Sequence, residues 1–191
     1  MSIITIDFET YYDKDYSLSK LTTEEYVNDD RFEVIGVGVK IDDAPAEWLV
    51  GGTEVFNDFM QTLKDTASEH AILCHNTLFD GAILAWRYGV NVGFWFDTLC
   101  MARAVHGVDA GGSLKALAER YKIGVKGDAV LNALGKRLAD FSKADLKDYG
   151  NYCCNDANLT YDLFNVMRPF PDNEFKLIDL TIRMFTEPKL M

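Results

Sequence analysis

Ile3-Ile4-Thr5-Ile6-Asp7-Phe8-Glu9-Thr10 opens the chain with apolar residues set against polar ones. Ile4, Ile6 and Phe8 recur with the period of a half-buried strand, so they share one face while Asp7 and Glu9 share the other. Two carboxylates held side by side at a strand end repel each other unless a cation lies between them. Hard oxygen donors of this kind suit Mg²⁺ or Mn²⁺. Taken alone, a D-x-E pair is more commonly the solvated end of an ordinary strand.

Working outward, Val34-Ile35-Gly36-Val37-Gly38-Val39 reads as a buried strand bearing glycines, and Glu47-Trp48-Leu49-Val50 as a further short strand. Thr53 caps a helix in which Val55, Phe56, Phe59, Met60 and Leu63 fall at helical spacing. Ala71-Ile72-Leu73-Cys74 is a short apolar strand, followed at once by a helical segment from about Leu78 to Tyr88. Phe94-Trp95-Phe96 forms another strand and ends in Asp97-Thr98, where Asp97 reads as the cap of the next helix or as a support behind a site. Helices follow: one capped by Ser113, one around Leu146 capped by Ser142, a separate one over about Asn155–Met167, and a last from about Asn173 to Pro188. Strands, then strand–helix alternation, then helices predict an α/β fold with a mixed central sheet flanked by helices.

Two further motifs carry possible chemistry. In His75-Asn76-Thr77-Leu78-Phe79-Asp80 the strand-to-helix junction sets Asn76 near the sheet edge and Asp80 about one helical turn in, facing the same side. The plain alternative makes Asn76 a helix cap and Asp80 a first-turn acid favoured by the helix dipole. In Tyr149-Gly150-Asn151-Tyr152-Cys153-Cys154-Asn155-Asp156, Tyr152 and Asp156 stand four apart on one helix face. A phenol beside a metal-binding carboxylate can orient a water for attack, whereas by itself the segment is also an amphipathic helix with an exposed acid.

The order of these motifs resembles the DEDD exonucleases, which have the DnaQ-like, ribonuclease H-like fold. The chain is most similar in pattern to the 3′-5′ proofreading domain of family A DNA polymerases of the phage type. The resemblance covers nearly the whole chain, including Ser113-Leu114-Lys115-Ala116-Leu117-Ala118-Glu119-Arg120-Tyr121 and Ile182-Arg183-Met184-Phe185-Thr186-Glu187-Pro188. The histidine subclass would place its base four or five residues before Asp156. Tyr152 and Asn151 occupy those positions, which points to the tyrosine subclass.

The resemblance implies two divalent cations, Mg²⁺ or Mn²⁺, about 3.5–4 Å apart around the scissile phosphate. Asp7 would bridge them, Glu9 and Asp156 would complete the tighter site, and Asp80 would hold the second ion, through water. Tyr152 would hydrogen-bond the attacking water. The expected activity is release of nucleoside 5′-monophosphates from single-stranded or melted 3′ ends of DNA. Thr10, through its backbone, and Asn76 resemble positions that contact the last nucleotide; Tyr11, Tyr12 or Phe79 would stack on a base, unless they are core. Related domains often carry an aliphatic wedge shortly after the first motif, where this chain has Tyr11-Tyr12-Asp13. Residues 1–170 are expected to form the exonuclease domain, and 171–191 a C-terminal helix leading toward a polymerase domain. Within that helix Phe175, Ile178, Ile182 and Phe185 form one apolar side, for such a neighbour or for its own domain.

A ribonuclease D-like enzyme acting on RNA shares the same acids and tyrosine, and a nuclease-inactive binding module is a third reading that the complete acid set disfavours. The 191 residues, 48% hydrophobic and 26% charged, fit one folded domain, and no apolar run is long enough to span a bilayer. The start of the chain has neither a basic segment nor an apolar signal core, so a cytoplasmic location is expected, that of a host cell if the protein is viral. Cys74, Cys100, Cys153 and Cys154 lack the paired spacing of a zinc site, and His70, His75 and His106 lack ligand spacing. A net charge of −11 argues against phosphate binding until its distribution is considered. Residues 101–147 run the other way, with Arg103, Lys115, Arg120, Lys122, Lys126, Lys136, Arg137, Lys143 and Lys147 against five acids, so they form either a phosphate-facing surface or ordinary solvated helix faces.

Overall fold

The alternation in the opening segment is realised in β1 (Ile3–Thr10), the central strand of a five-stranded sheet ordered β3-β2-β1-β4-β5. The computed structural model describes residues 1–127 and 133–187. β2 (Val34–Ile41) pairs antiparallel with β1, and β3 (Glu47–Val50) antiparallel with β2. On the other side β4 (Ala71–Cys74) and β5 (Phe94–Asp97) run parallel, β4 to β1 and β5 to β4. The mixed sheet flanked by helices is therefore as the sequence pattern predicts. Because β1, β4 and β5 run the same way, their C-terminal ends converge, and crevices at such ends are where α/β sheets place their ligands.

The remaining elements are α1 (Thr23–Asn28), α2 (Glu54–Thr66), α3 (Thr77–Ala82) with a π-helical continuation over Ile83–Arg87, α4 (Thr98–His106), α5 (Leu114–Tyr121), α6 (Lys143–Val166) and α7 (Asp172–Thr186). α1 starts on a reciprocal capping box between Thr22 and Glu25, a signature absent from the sequence reading above. Thr53, Ser113 and Ser142 cap α2, α5 and α6 through their hydroxyls. Of the apolar residues expected to face inward from α2, Phe56, Met60 and Leu63 are buried, whereas Val55 is 64% exposed.

The sequence pattern divides 143–167 into two helices, but α6 is one helix of 24 residues. Gly150 lies within it and serves close approach: a Cβ there would lie 2.5 Å from the ring of Trp48 on β3. Gly38 on β2 plays the same part further along, since its Cβ would meet Cys153 Sγ at 2.9 Å. Both glycines let α6 lie close over β1 and β2, which brings its Tyr149, Cys153 and Asp156 down to the sheet.

α7 folds back on the same domain. Ile178 and Ile182 are buried, Phe175 and Phe185 pack partly buried on the core, and Trp86 Nε1–H donates to Thr186 O at 3.1 Å. Its Asp179 accepts the Trp95 N–H at 2.8 Å, and Arg183 donates to the carbonyls of Val92 and Gly93 at 2.9 and 2.8 Å. The outer face keeps Leu177, Leu180 and Met184 exposed. The expected end of this helix at Pro188 lies outside the described residues.

Candidate active site

Asp7 and Glu9 stand opposite Gly38 and Gly36 in the β1–β2 register, so nothing bulky on β2 separates them from α6. The Tyr149 hydroxyl donates to Glu9 Oε2 at 2.6 Å and fixes that carboxylate from the helix side. Tyr149 is in turn sandwiched between Phe141, with ring centroids 5.5 Å apart, and Tyr152, at 6.4 Å. One helical turn on, the Cys153 thiol donates to the Asp7 carbonyl at 3.1 Å and lies 3.4 Å from Asp7 Oδ2. Neither Tyr149 nor Cys153 was singled out from the sequence, because their roles depend on how close α6 lies to β1.

Asp80 enters from α3 and is buried, with Oδ1 accepting the Phe8 N–H at 3.0 Å. Asp156 enters from α6 and is also buried; its Oδ2 lies 2.6 Å from Lys126 Nζ, while its Oδ1 has no hydrogen-bond partner. Burial and the neighbouring Asp156 carboxylate raise the Tyr152 phenol, and the Lys126 ammonium lies 5.3 Å above its ring. Asp7, Glu9, Asp80, Tyr152 and Asp156 thus converge at the carboxyl end of the central strands. Among the described residues, the ligand atoms of Asp7, Glu9 and Cys153 lie within 4.8 Å of one another, a group that includes neither Asp80 nor Asp156.

The electrostatics follow from packing acids together in a low dielectric. Asp7 is pushed up to about 7, first by burial and then by Asp156, with Lys126 and the Cys153 thiol pulling the other way. Glu9 is held well above the usual carboxylate range by burial and by Asp7, against the Tyr149 hydrogen bond. Asp80 is raised by burial and by Asp7, and Asp156 by burial, opposed by Lys126. Clustered carboxylates that resist ionisation, one with an unpartnered buried oxygen, fit hard divalent cations as the missing counter-charge.

The residues expected to meet the terminal nucleotide are placed differently from one another. Asn76 is exposed and left-handed at φ 71°, and its side chain does not cap α3. Asp97 does that work instead: it accepts the N–H groups of Asn76 and Thr77 at 3.1 Å each and also caps α4 through Leu99 N at 2.8 Å. The Asn76 carboxamide is thereby left to line a cleft of about 560 Å³ together with Asp7, His75, Arg103, Ser113 and Lys126. Thr10 is buried with its hydroxyl 2.8 Å from the Tyr26 hydroxyl, and Phe79, partly buried, packs against the core with its ring 5.9 Å from that of Tyr26. Asp13 accepts the N–H groups of Asp15 and Tyr16 and the hydroxyl of Tyr11, so it shapes a turn.

His75 bridges Thr98 Oγ1 at 2.8 Å and the Gly112 carbonyl at 2.9 Å. A carbonyl only accepts, so Nε2 carries the proton and the ring pins the cleft wall, with burial lowering its pKa. Side chains of the basic stretch have different partners. Arg103 and Lys126 line the cleft, but Arg137 pairs with Glu33 at 2.7 Å and covers Tyr11, Arg120 bonds the Ala110 carbonyl, and Lys136 lies over Phe141.

Comparison with known proteins places this geometry. A family model described as 3′-5′ exonuclease (DNA_pol_A_exo1) matches residues 21–170. No curated protein matches the sequence. Among solved structures, Brucella melitensis NrnC shares 18% identity over 96% of this chain and 81% of its own, with a TM-score of 0.67. Trypanosoma brucei RNase D shares 17% over 98% of this chain and 66% of its own, at 0.71. The catalytic core of RRP6 from the same organism shares 11% over 96% and 44%, at 0.61. NrnC has been observed with Mg²⁺ and with pGG, and RNase D with RNA U12. These structures share the ribonuclease H-like fold of the sheet and helices described above, and with the family match over most of its length the chain belongs to the 3′-5′ exonuclease family.

Proposed function

We propose that this exonuclease hydrolyses single-stranded or frayed 3′ ends of DNA to nucleoside 5′-monophosphates with the help of two divalent cations. Exonucleases of this type use divalent metals. The observation that carries the metal dependence is Asp156: a buried carboxylate with one unpartnered oxygen, beside acids that burial and mutual repulsion keep from ionising. Asp7, Glu9 and Asp156 would hold one ion, and Asp7 with Asp80 the other. Bound cations supply Lewis-acid activation of water and neutralise charge at the scissile phosphate.

The chain's own groups do the positioning. Tyr152, one helical turn before Asp156 on α6, orients the attacking water. Tyr149 holds Glu9 in place, and Lys126 and Arg103 bring positive charge to the phosphate side of the cleft. Asn76 offers its carboxamide to the terminal nucleotide, Thr10 contributes through its backbone because its hydroxyl is engaged by Tyr26, and the half-buried Phe79 ring is the base-stacking candidate.

An exoribonuclease is the second reading, favoured by the likeness to RNase D and NrnC, whose structures hold RNA U12 and pGG. One experiment separates the two. 5′-Labelled single-stranded DNA and RNA of matched sequence are incubated with Mg²⁺, Mn²⁺ or EDTA, beside Asp156→Asn. A metal-dependent ladder shortening from the 3′ end of DNA, lost in the variant, is the expected result. Faster shortening of RNA transfers the assignment to the exoribonuclease, and no cleavage of either strand sinks both.

A further inference from the structure

Cys153 is fully buried and points its sulfur at the acids of the site, a position that no spacing between cysteines in the sequence announces. Its Sγ is already 3.4 Å from Asp7 Oδ2, and the donor atoms of Asp7, Glu9 and Cys153 all lie within 4.8 Å of one another. A tetrahedral ion with Zn–S of about 2.3 Å and Zn–O of about 2.0–2.2 Å holds its donors about 3.5 Å apart, so the trio closes on one ion with shifts of about 1 Å. The buried Asp156 lies outside this trio, but its charge acts on both Asp7 and Glu9 and its Oδ1 has no hydrogen-bond partner. Asp7 lines the cleft, which gives an ion a path from solvent.

We propose that Asp7, Glu9 and Cys153 form a mixed carboxylate–thiolate site that selects a thiophilic divalent cation, such as Zn²⁺ or Cd²⁺, over Mg²⁺. The assignment rests on the carboxylates being the metal-binding acids of the exonuclease. Mg²⁺ seeks oxygen and leaves the thiol protonated, donating to Asp7 as in the structure. A softer ion takes the sulfur: the S–H bond breaks, a metal–sulfur bond forms, and the proton leaves to solvent through the cleft. Gly38 makes the arrangement possible, since any side chain there would push the sulfur off Asp7.

The test uses the whole protein, with Co²⁺ and Cd²⁺ as optical probes of sulfur ligation and Zn²⁺ and Mg²⁺ as competitors. Wild type and Cys154→Ser, whose thiol is outside the trio, are expected to show a thiolate charge-transfer band saturating with one equivalent of Cd²⁺. Cys153→Ser loses the band. Zn²⁺ binding to that variant, measured by calorimetry, weakens by about tenfold or more, since even groups behind a ligand are worth about 10–100-fold in affinity. Mg²⁺ binding changes far less. A band that survives in Cys153→Ser, or Zn²⁺ and Mg²⁺ affinities that fall together, overturns the proposal. X-ray absorption at the zinc edge of the wild type needs no variant: one sulfur at about 2.3 Å is expected, and a shell of nitrogen and oxygen alone refutes it. A thiolate band in a protein that cleaves no nucleic acid would leave the metal site standing and remove the exonuclease reading.

Discussion

Replacing Asp7 with asparagine is expected to make the protein more stable at pH 8 in EDTA while abolishing hydrolysis. The substitution keeps the shape of the side chain and an oxygen for the Cys153 thiol, and it removes one charge from the cluster. Asp7 ionises at about 7 in the folded protein against an ordinary 3.8, a gap that at about 1.4 kcal/mol per pH unit costs at most about 4 kcal/mol once both states are ionised. Asp156 and Glu9 share that repulsion, so about 2–4 kcal/mol should be recovered, or roughly 4–16 °C in melting temperature for a chain of this size. The sign follows from proton binding. Between pH 4 and 7 the folded state holds a proton that the unfolded chain has released, so this contribution to stability is complete at low pH and lost as pH rises through the folded value. The difference between the two proteins should therefore vanish near pH 4 and be full at pH 8. Thermal melts at both pH values in EDTA measure it, and a second pair with Mn²⁺ should reverse the order, since binding at about 1,000 times Kd adds about 4.1 kcal/mol to the wild type alone. A wild type at least as stable as Asp7→Asn at pH 8 in EDTA would refute the reasoning.

Tyr149→Phe removes the hydrogen bond that holds Glu9, and the metal-free protein should lose about 0.5–1.5 kcal/mol with metal affinity down by about 10–100-fold; isothermal titration with Mn²⁺ checks it, and an unchanged affinity would mean Glu9 is not a ligand. Lys126→Ala should raise KM for single-stranded substrate more than it lowers kcat and reduce the salt dependence of binding by about one contact, a slope read from binding at several salt concentrations. Gly150→Ala gains helix propensity of about 1 kcal/mol but drives a methyl to 2.5 Å from Trp48, at a cost of about 1–3 kcal/mol, so urea denaturation should show a net loss of up to about 2 kcal/mol; a net gain of about 1 kcal/mol would mean α6 does not need its close seat on β3.

The strand bearing Asp7 and Glu9, the buried segment of β4 and the Tyr152–Asp156 pair were legible because each depends on a short-range period, two along a strand or four along a helix. What the sequence hid depends on packing between distant segments. The part Gly150 plays depends on Trp48, far earlier in the chain, lying against it. Lys126 reads as one of nine similar cations until its ammonium is found at Asp156, and Arg137 reads as a phosphate contact until Glu33 and Tyr11 claim it. Asn76 has the right chemistry for a cap, but Asp97, itself the cap of α4, reaches back across from β5 and takes the same N–H groups. In each case local chemistry named the candidate and tertiary geometry assigned the task.

The hold of Asp179 and Arg183 on β5 has a practical consequence for where this domain ends. β5 is the last strand of the sheet, and its outward backbone groups are those a stray strand would seek. α7 takes the Trp95 N–H of the strand and the Val92 and Gly93 carbonyls just before it with side chains, so it shields this edge from pairing with another molecule. The family match stops at residue 170, and a fragment cut there would keep every acid of the site yet bare a four-residue strand rich in aromatics, Phe94-Trp95-Phe96-Asp97. Such a fragment is expected to aggregate through that edge. For solubility, the unit that must be kept together runs through Thr186.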